Sequence, residues 1–170
     1  MLTTDQKGAI AEMGIAWHAT RLGVDVYRPV AEGGRCDLIF DLGDLWRIQC
    51  KWAARYEDVL IIRCYSSRRA REGLRRRLYT ADEIDAFAAY CSELDRCFFL
   101  PIERFHGKAN IQLRLAPSRN NQRVGINWAD QLDFTATLAQ PQGAIAQLGE
   151  RLDGIQKVAG SSPAGSTLFS

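Results

Sequence analysis

Apolar positions behind Thr3-Thr4-Asp5 recur at Ile10, Met13, Gly14, Trp17 and Leu22 before Gly23. That near-helical spacing, with N-cap residues ahead of it and a glycine stop behind, predicts a helix of about 18 residues. From Val24 the pattern changes to alternation. Val24 to Pro29, Arg35 to Leu42 and Leu45 to Trp52 read as three strands, with Glu32-Gly33-Gly34 and Gly43-Asp44 as turns. Together they predict an antiparallel meander. The β-branched run Val59 to Ile62 suits a further buried strand or an extension crossing the sheet. Thr80-Ala-Asp-Glu83 is a capping-box sequence followed by an apolar stripe, Ile84, Phe87, Ala88 and Cys91, which predicts a second helix to about Cys91 with Asp82, Asp85 and Glu93 facing water. Cys97 to Pro101 reads as a short buried strand and Ile111 to Leu115 as a half-exposed one. Trp128, Leu132 and Phe134 suggest a last short helix or turn. This order describes an α/β domain.

At 170 residues and 46% hydrophobic composition, the chain suits one domain with a real core. No apolar run approaches a membrane span and no signal-peptide pattern opens the chain, so an intracellular, cytoplasmic protein is expected. The five cysteines, Cys36, Cys50, Cys64, Cys91 and Cys97, contain no C-x-x-C pair and are odd in number. They predict small core residues rather than a zinc site or a disulfide framework. His18 and His106 stand alone and point to no metal or acid–base role.

The net charge of +2 conceals a strong bias. Between Arg63 and Arg77 lie seven arginines, Arg63, Arg68, Arg69, Arg71, Arg75, Arg76 and Arg77, against the single Glu72. Such a segment is either a solvated surface loop or a phosphate-binding patch, and the near absence of acidic compensation favours nucleic acid. Asn110 to Arg123 adds polar and basic residues equally suited to base contacts or to an ordinary loop.

The candidate chemistry lies in residues 35 to 52. Side-chain alternation places Asp37, Ile39 and Asp41 on one face of the second strand, and Arg47, Gln49 and Lys51 on one face of the third. A tight turn then brings Asp37 beside Gln49 and Lys51. Oxygen donors for a hard divalent cation with an ammonium next to them suit phosphodiester hydrolysis, because the cation polarises phosphate and water while the lysine offsets developing charge. Asp41, nearer the turn, is expected to be structural or to support the ligands from behind rather than to be a ligand itself. Glu12, beside the helix stripe, is either a solvated edge residue or a carboxylate presented to this site.

Lys7 to Glu12, Arg35-Cys-Asp-Leu38, Arg47-Ile-Gln-Cys-Lys51 and Thr80 to Pro101, in this order, resemble the PD-(D/E)XK nuclease superfamily. More narrowly they resemble its branch of group I intron homing endonucleases, with archaeal Holliday-junction resolvases as relatives. The resemblance covers most of residues 5 to 105. It implies a restriction-endonuclease-like core, a mixed central sheet flanked by helices, and Mg²⁺-dependent cleavage of double-stranded DNA by a homodimer or dimer of dimers. It implies Asp37 as principal metal ligand, Gln49 and the Cys50 backbone carbonyl as auxiliary ones, Lys51 as the group orienting water or stabilising charge, and Glu12 as an indirect metal partner. Cys36 stands where the superfamily name has proline. Gln49 stands where an acid is usual; it offers a carbonyl oxygen without charge, and the narrower branch is known for it. A junction resolvase, an inactive DNA-binding relative and an acidic-partner interaction domain are the alternatives.

The nuclease domain is expected over residues 1–134. Residues 135–170 read as a linker and tail whose Gly143 to Thr167 stretch resembles a translated tRNA gene: Ala144 to Arg151 back-translates to a D-arm and Gly160-Ser-Ser-Pro163 to a T-arm. A tail of that origin is expected to be flexible or peripheral; an amphipathic docking helix over Ala144 to Leu152 is the rival view.

Overall fold

Thr3 starts helix α1 (Thr4–Arg21) through a reciprocal pair of bonds. Its Oγ1 accepts from the Gln6 N–H at 3.2 Å, and the Gln6 side chain accepts from the Thr3 N–H at 2.9 Å, a complete capping box. The helix has the expected length but buries a different stripe. Ala11, Ile15 and Ala19 face inward, while Met13 and Trp17, expected on the apolar face, are 62% and 50% exposed. Small residues face inward because the helix lies close on the sheet: a Cβ at Gly14 would stand 3.1 Å from the Tyr90 ring.

The computed structural model describes residues 1–31, 33–117 and 125–138, with only the backbone at 68, 70 and 74. The stretch from Asn110 to Arg123 is therefore described only as far as residue 117, and the tRNA-like tail lies outside the described residues.

Strands β1 (Asp25–Tyr27), β2 (Leu38–Asp41) and β3 (Leu45–Tyr56) form the expected antiparallel meander. The β2–β3 turn is longer than Gly43-Asp44. Asp41 pairs with Leu45, so Leu42, Gly43 and Asp44 make the loop, with Gly43 at a φ of 96° that disfavours a side chain. Asp41 Oδ1 accepts from the Gly43 N–H at 3.1 Å, which engages that carboxylate in the turn.

β3 is the spine of a seven-stranded sheet. Its first half lies between β2 and β7 (Ala86–Cys91), and its second half pairs with β4 (Val59–Arg63). β9 (Asn110–Arg114) adds to β4, and β8 (Arg96–Pro101) adds to β7; β3–β7 is the parallel pairing that makes the sheet mixed.

β7 corrects the expected second helix. Residues 86–89 are buried without a break, because β7 sits inside the sheet with α1 on one face and the larger core on the other. The helical stripe was a subset of a continuous apolar run, which suits either element. The capping-box residues form a turn only, with the Glu83 N–H donating to Thr80 O at 3.1 Å and the Glu83 carboxylate accepting from the Thr80 N–H at 3.3 Å. Asp85, expected to face water, is half-buried. It accepts from the Arg47 N–H at 2.6 Å, from Nε at 3.0 Å and from Nη2 at 2.8 Å, fastening the start of β7 to β3.

Alternation along the paired strands separates two apolar layers. Leu38, Phe40, Ile48, Ala88 and Phe99 pack toward α1 and toward Phe134 of α3 (Phe134–Leu138). Ala53, Ile62, Phe87 and Leu100 pack against Tyr79, Ile84, Ile102 and Phe105, the last two on α2 (Ile102–Phe105), and against Leu132 on a 3-10 turn (Ala129–Leu132). Fully buried Phe87 anchors this second layer, and its loss would cost about 3–5 kcal/mol. Cys50, Cys64, Cys91 and Cys97 are buried free thiols and Cys36 is half-buried, as small core residues should be. The arginine-rich segment forms a separate antiparallel hairpin, β5 (Tyr65–Ala70) and β6 (Gly73–Leu78). No described helix is long and apolar enough to cross a membrane.

Candidate active site

Asp37 sits just before β2, where its N–H still donates to Ile48 O of β3 at 2.8 Å. That backbone bond aims its carboxylate at the middle of β3. Oδ2 accepts from the Cys50 N–H at 2.9 Å and from Gln49 Nε2. Gln49 Nε2 also lies 3.4 Å from the Cys50 carbonyl oxygen. Asp37, the Gln49 carboxamide and the Cys50 carbonyl therefore meet at one point. Gln49 is 6% exposed and is the buried polar side chain among the described residues.

Burial pushes the Asp37 carboxyl above its ordinary value and the Glu12 charge adds to that; the Cys50 N–H, Lys51 and Arg28 oppose it. Burial likewise lowers the Lys51 ammonium, with Asp37 opposing. Lys51 Nζ stands 3.2 Å from the Tyr79 hydroxyl and 4.7 Å from the centre of that ring. Burial raises Tyr79 to about 12, so its hydroxyl stays neutral beside the lysine. The Cys50 thiol is pushed well up, first by burial and then by Asp37 and Glu12, so this residue offers its backbone rather than a thiolate.

Glu12, on α1, is partly exposed and bonds Arg28 Nη2 at 2.6 Å. It reaches Asp37 as a charge.

Residues to which the sequence assigned no role at the site complete the corner. Arg35 donates to Ser66 Oγ at 2.9 Å, to Leu78 O at 2.7 Å and to Glu83 at 3.0 Å, while its guanidinium stacks 3.7 Å from the Tyr79 ring centre. Both strands of the hairpin are thus tied to the ring that holds Lys51. Burial works against the Glu83 carboxylate, yet Arg35, the Thr80 N–H and Arg77 hold it below its ordinary value. Arg35 and Glu83 stood in motifs without a role at the site, Tyr79 and Arg28 stood in none, and their partners lie up to 48 residues away in sequence.

The arginines divide. Arg75 pairs with Glu72 at 2.6 Å and Arg77 with Glu83, so both already have carboxylate partners. Arg76 stacks 4.8 Å from the Tyr65 ring centre, Arg63 ends β4, and Arg69 and Arg71 are exposed. Arg68 is described only in its backbone, opposite Arg75.

A family model described as PD-(D/E)XK endonuclease matches residues 2–135. The chain belongs to the PD-(D/E)XK endonuclease family. It is a nuclease, a hydrolase of phosphodiester bonds, in a family that typically uses divalent metal ions. The nuclease is similar to the solved structure of a bacterial homing endonuclease, I-Ssp6803I, with 21% identity, 92% of this chain and 99% of that chain covered, and a TM-score of 0.64. At that identity the likeness is one of fold, restriction-endonuclease-like with a central sheet and flanking helices. No curated protein matches the nuclease.

The donor set fits a hard cation. Among the described residues no three His, Cys, Asp or Glu side chains gather around one point. The nuclease instead assembles one carboxylate, one carboxamide and one backbone carbonyl, all oxygen donors once the Gln49 amide turns Oε1 inward. Which end of that amide faces Asp37 follows from its hydrogen bonds, so a cation in place of the N–H contacts would reverse it. Asp37, costly to ionise in its buried place beside the Glu12 charge, is the group a cation relieves most.

Proposed function

We propose that the nuclease hydrolyses phosphodiester bonds in double-stranded DNA with Mg²⁺ as cofactor, in the manner of a homing endonuclease. The observation that carries this reading is the meeting of Asp37, Gln49 and the Cys50 carbonyl beside Lys51. Asp37, Gln49 and the Cys50 carbonyl would hold the ion, with Glu12 acting indirectly. When bound, Mg²⁺ supplies Lewis-acid polarisation of the phosphate and a more acidic water.

The chain's own groups do the rest. The Cys50 N–H fixes the Asp37 carboxylate, so the principal ligand needs no reorganisation. Lys51 holds an ammonium against the developing negative charge, and Tyr79 restrains the lysine without competing for its proton. Arg63, Arg68, Arg69, Arg71, Arg75, Arg76 and Arg77 supply phosphate contacts, with Arg75 and Arg77 exchanging a carboxylate partner for a phosphate. One small domain carries one site, so cutting both strands calls for a homodimer or a dimer of dimers. The division into a nuclease domain over residues 1–134 and a tail from 135 is part of the proposal. A chain ending after Leu138, which keeps that buried residue, should still cut DNA.

The test is cleavage of plasmid, linear duplex and four-way junction DNA by the purified protein with Mg²⁺. Asp37→Ala and Lys51→Ala should abolish cutting and spare binding. Folded protein that leaves every substrate intact would refute the proposal, and strong preference for the junction would replace duplex cleavage with junction resolution.

A further inference from the structure

Helix α1 covers the sheet only as far as its own first turn. β3 runs on beyond it, and alternation turns Trp52, Ala54 and Tyr56 onto the face that α1 leaves bare. Ile61, the register partner of Ala54, and Arg63 on β4 complete the floor. Thr4, Lys7 and Gly8 of α1 form one wall of the resulting cavity of about 640 Å³, and Tyr65, Ser66, Ser67 and Arg76 of the hairpin form the other. One end opens on Cys50, Lys51 and Tyr79, the catalytic corner.

The chemistry of this lining is one-sided. It contains Lys7, Lys51, Arg63 and Arg76 and no Asp or Glu. Lys7, Arg63 and Arg76 form no ion pair among the described residues, in contrast to Arg75 and Arg77. Four aromatic rings share the cavity, and cations stand over them: Lys7 Nζ lies 5.8 Å from the Trp52 ring centre, and Arg76 4.8 Å from that of Tyr65. Cations without carboxylate partners suit phosphates. Aromatic faces suit something more, because in an intact duplex the faces of the bases are already stacked on each other and only edges and backbone are offered. A nucleotide out of the stack offers a phosphate and a bare π-face together. The cavity is within the size range of small-ligand sites, roughly 300–1,000 Å³.

We propose that this cavity receives one unstacked nucleotide of the DNA strand beside the scissile phosphate, its phosphate on Lys7, Arg63 and Arg76 and its base against Trp52, Tyr56 and Tyr65. The proposal rests on the DNA-nuclease reading and sharpens its substrate to duplex DNA that is locally opened at the cut.

The test uses the full-length protein in EDTA, so that nothing is cut. The probes are a fully paired duplex and the same duplex carrying one unpaired 5-iododeoxyuridine. The unpaired probe should bind more tightly, and on irradiation its base should crosslink to Trp52, Tyr56 or Tyr65, mapped by mass spectrometry. Tyr56→Ala should weaken the unpaired probe by about 5- to 150-fold, the loss of one stacked base. Tyr56→Phe should restore it, and Tyr27→Ala, at an exposed ring on β1, should change nothing. Crosslinks outside the cavity, equal affinity for the two probes, or equal weakening of both by Tyr56→Ala would overturn the proposal. With Mg²⁺, plasmid cleavage alongside such results would show that the cavity assignment alone fails. Absence of both binding and cleavage would remove the DNA-nuclease reading as well.

Discussion

Replacing Asp37 with Asn should stabilise the metal-free chain while abolishing cleavage. The substitution keeps an acceptor for the Cys50 N–H, and it removes a carboxylate whose pKa burial and the Glu12 charge hold above its ordinary value. Lys51 loses its attraction to Asp37, so the gain is the remainder of two opposed effects. Single stabilising substitutions commonly add about 0.5–2 kcal/mol, and about 1 kcal/mol would raise the Tm of a domain this size by about 3–5 °C. The sign of the pH dependence follows from the raised pKa. Wild-type stability from this group is complete below the ordinary carboxylate range and is lost as pH rises through the higher folded value. The advantage of the variant should therefore be largest near pH 7 and should close as pH falls into the carboxylate range. Mg²⁺ must act in the opposite direction, stabilising the wild type by about 2.7 kcal/mol at a hundredfold excess over its Kd and the variant by much less. Thermal unfolding followed by circular dichroism, in EDTA across a pH series and at pH 7 in a Mg²⁺ series, measures all three quantities. A variant less stable than wild type in EDTA, or equal stabilisation of both by Mg²⁺, would refute the reasoning.

Other expectations can be checked alongside. Tyr79→Phe removes only the hydroxyl beside Lys51; cleavage should slow about tenfold at unchanged DNA affinity, and the effect should vanish in a chain that already carries Lys51→Ala. Asp85→Ala leaves the Arg47 N–H without its partner and should cost about 2 kcal/mol in urea unfolding at pH 7, a figure already trimmed because the two side chains are 30% and 39% exposed. Burial works against the Asp85 carboxylate, but its bonds to Arg47 outweigh it and hold the pKa down. The stability it contributes is therefore present above the ordinary carboxylate value and lost as pH falls through the depressed one, so the gap between the two chains should narrow only in acid. Arg69→Ala, at an exposed hairpin position, should lower the slope of log affinity against log salt by about 0.9.

Alternation made the faces of Asp37, Gln49 and Lys51 legible in the sequence, but the register came from the three-residue loop Leu42 to Asp44 in place of the expected two-residue turn, and that loop sets Asp37 level with Gln49. The pairing of Leu38 with Ile48 leaves little freedom for what lies beside it. The length of α1 was legible from its N-cap and glycine stop. Its buried face was not, since Ala11, Ile15 and Ala19 are inside only because the helix approaches Tyr90 so closely. The arginine segment announced its charge but not its form, nor the ion pairs of Arg75 with Glu72 inside it and of Arg77 with Glu83 beyond it.

Local pattern determined what needs only neighbours along the chain: the capped first helix, the β2–β3 hairpin, the oxygen donors with a lysine beside them, and a basic segment suited to phosphate. Tertiary structure decided what depends on distant partners. It made Ala86–Cys91 a strand, because a continuously apolar segment takes whichever backbone partner the sheet provides, and β3 offers it an open edge. It also placed Tyr79 on Lys51 and Arg35 on Tyr79 across gaps of 28 and 44 residues, contacts that no local periodicity encodes.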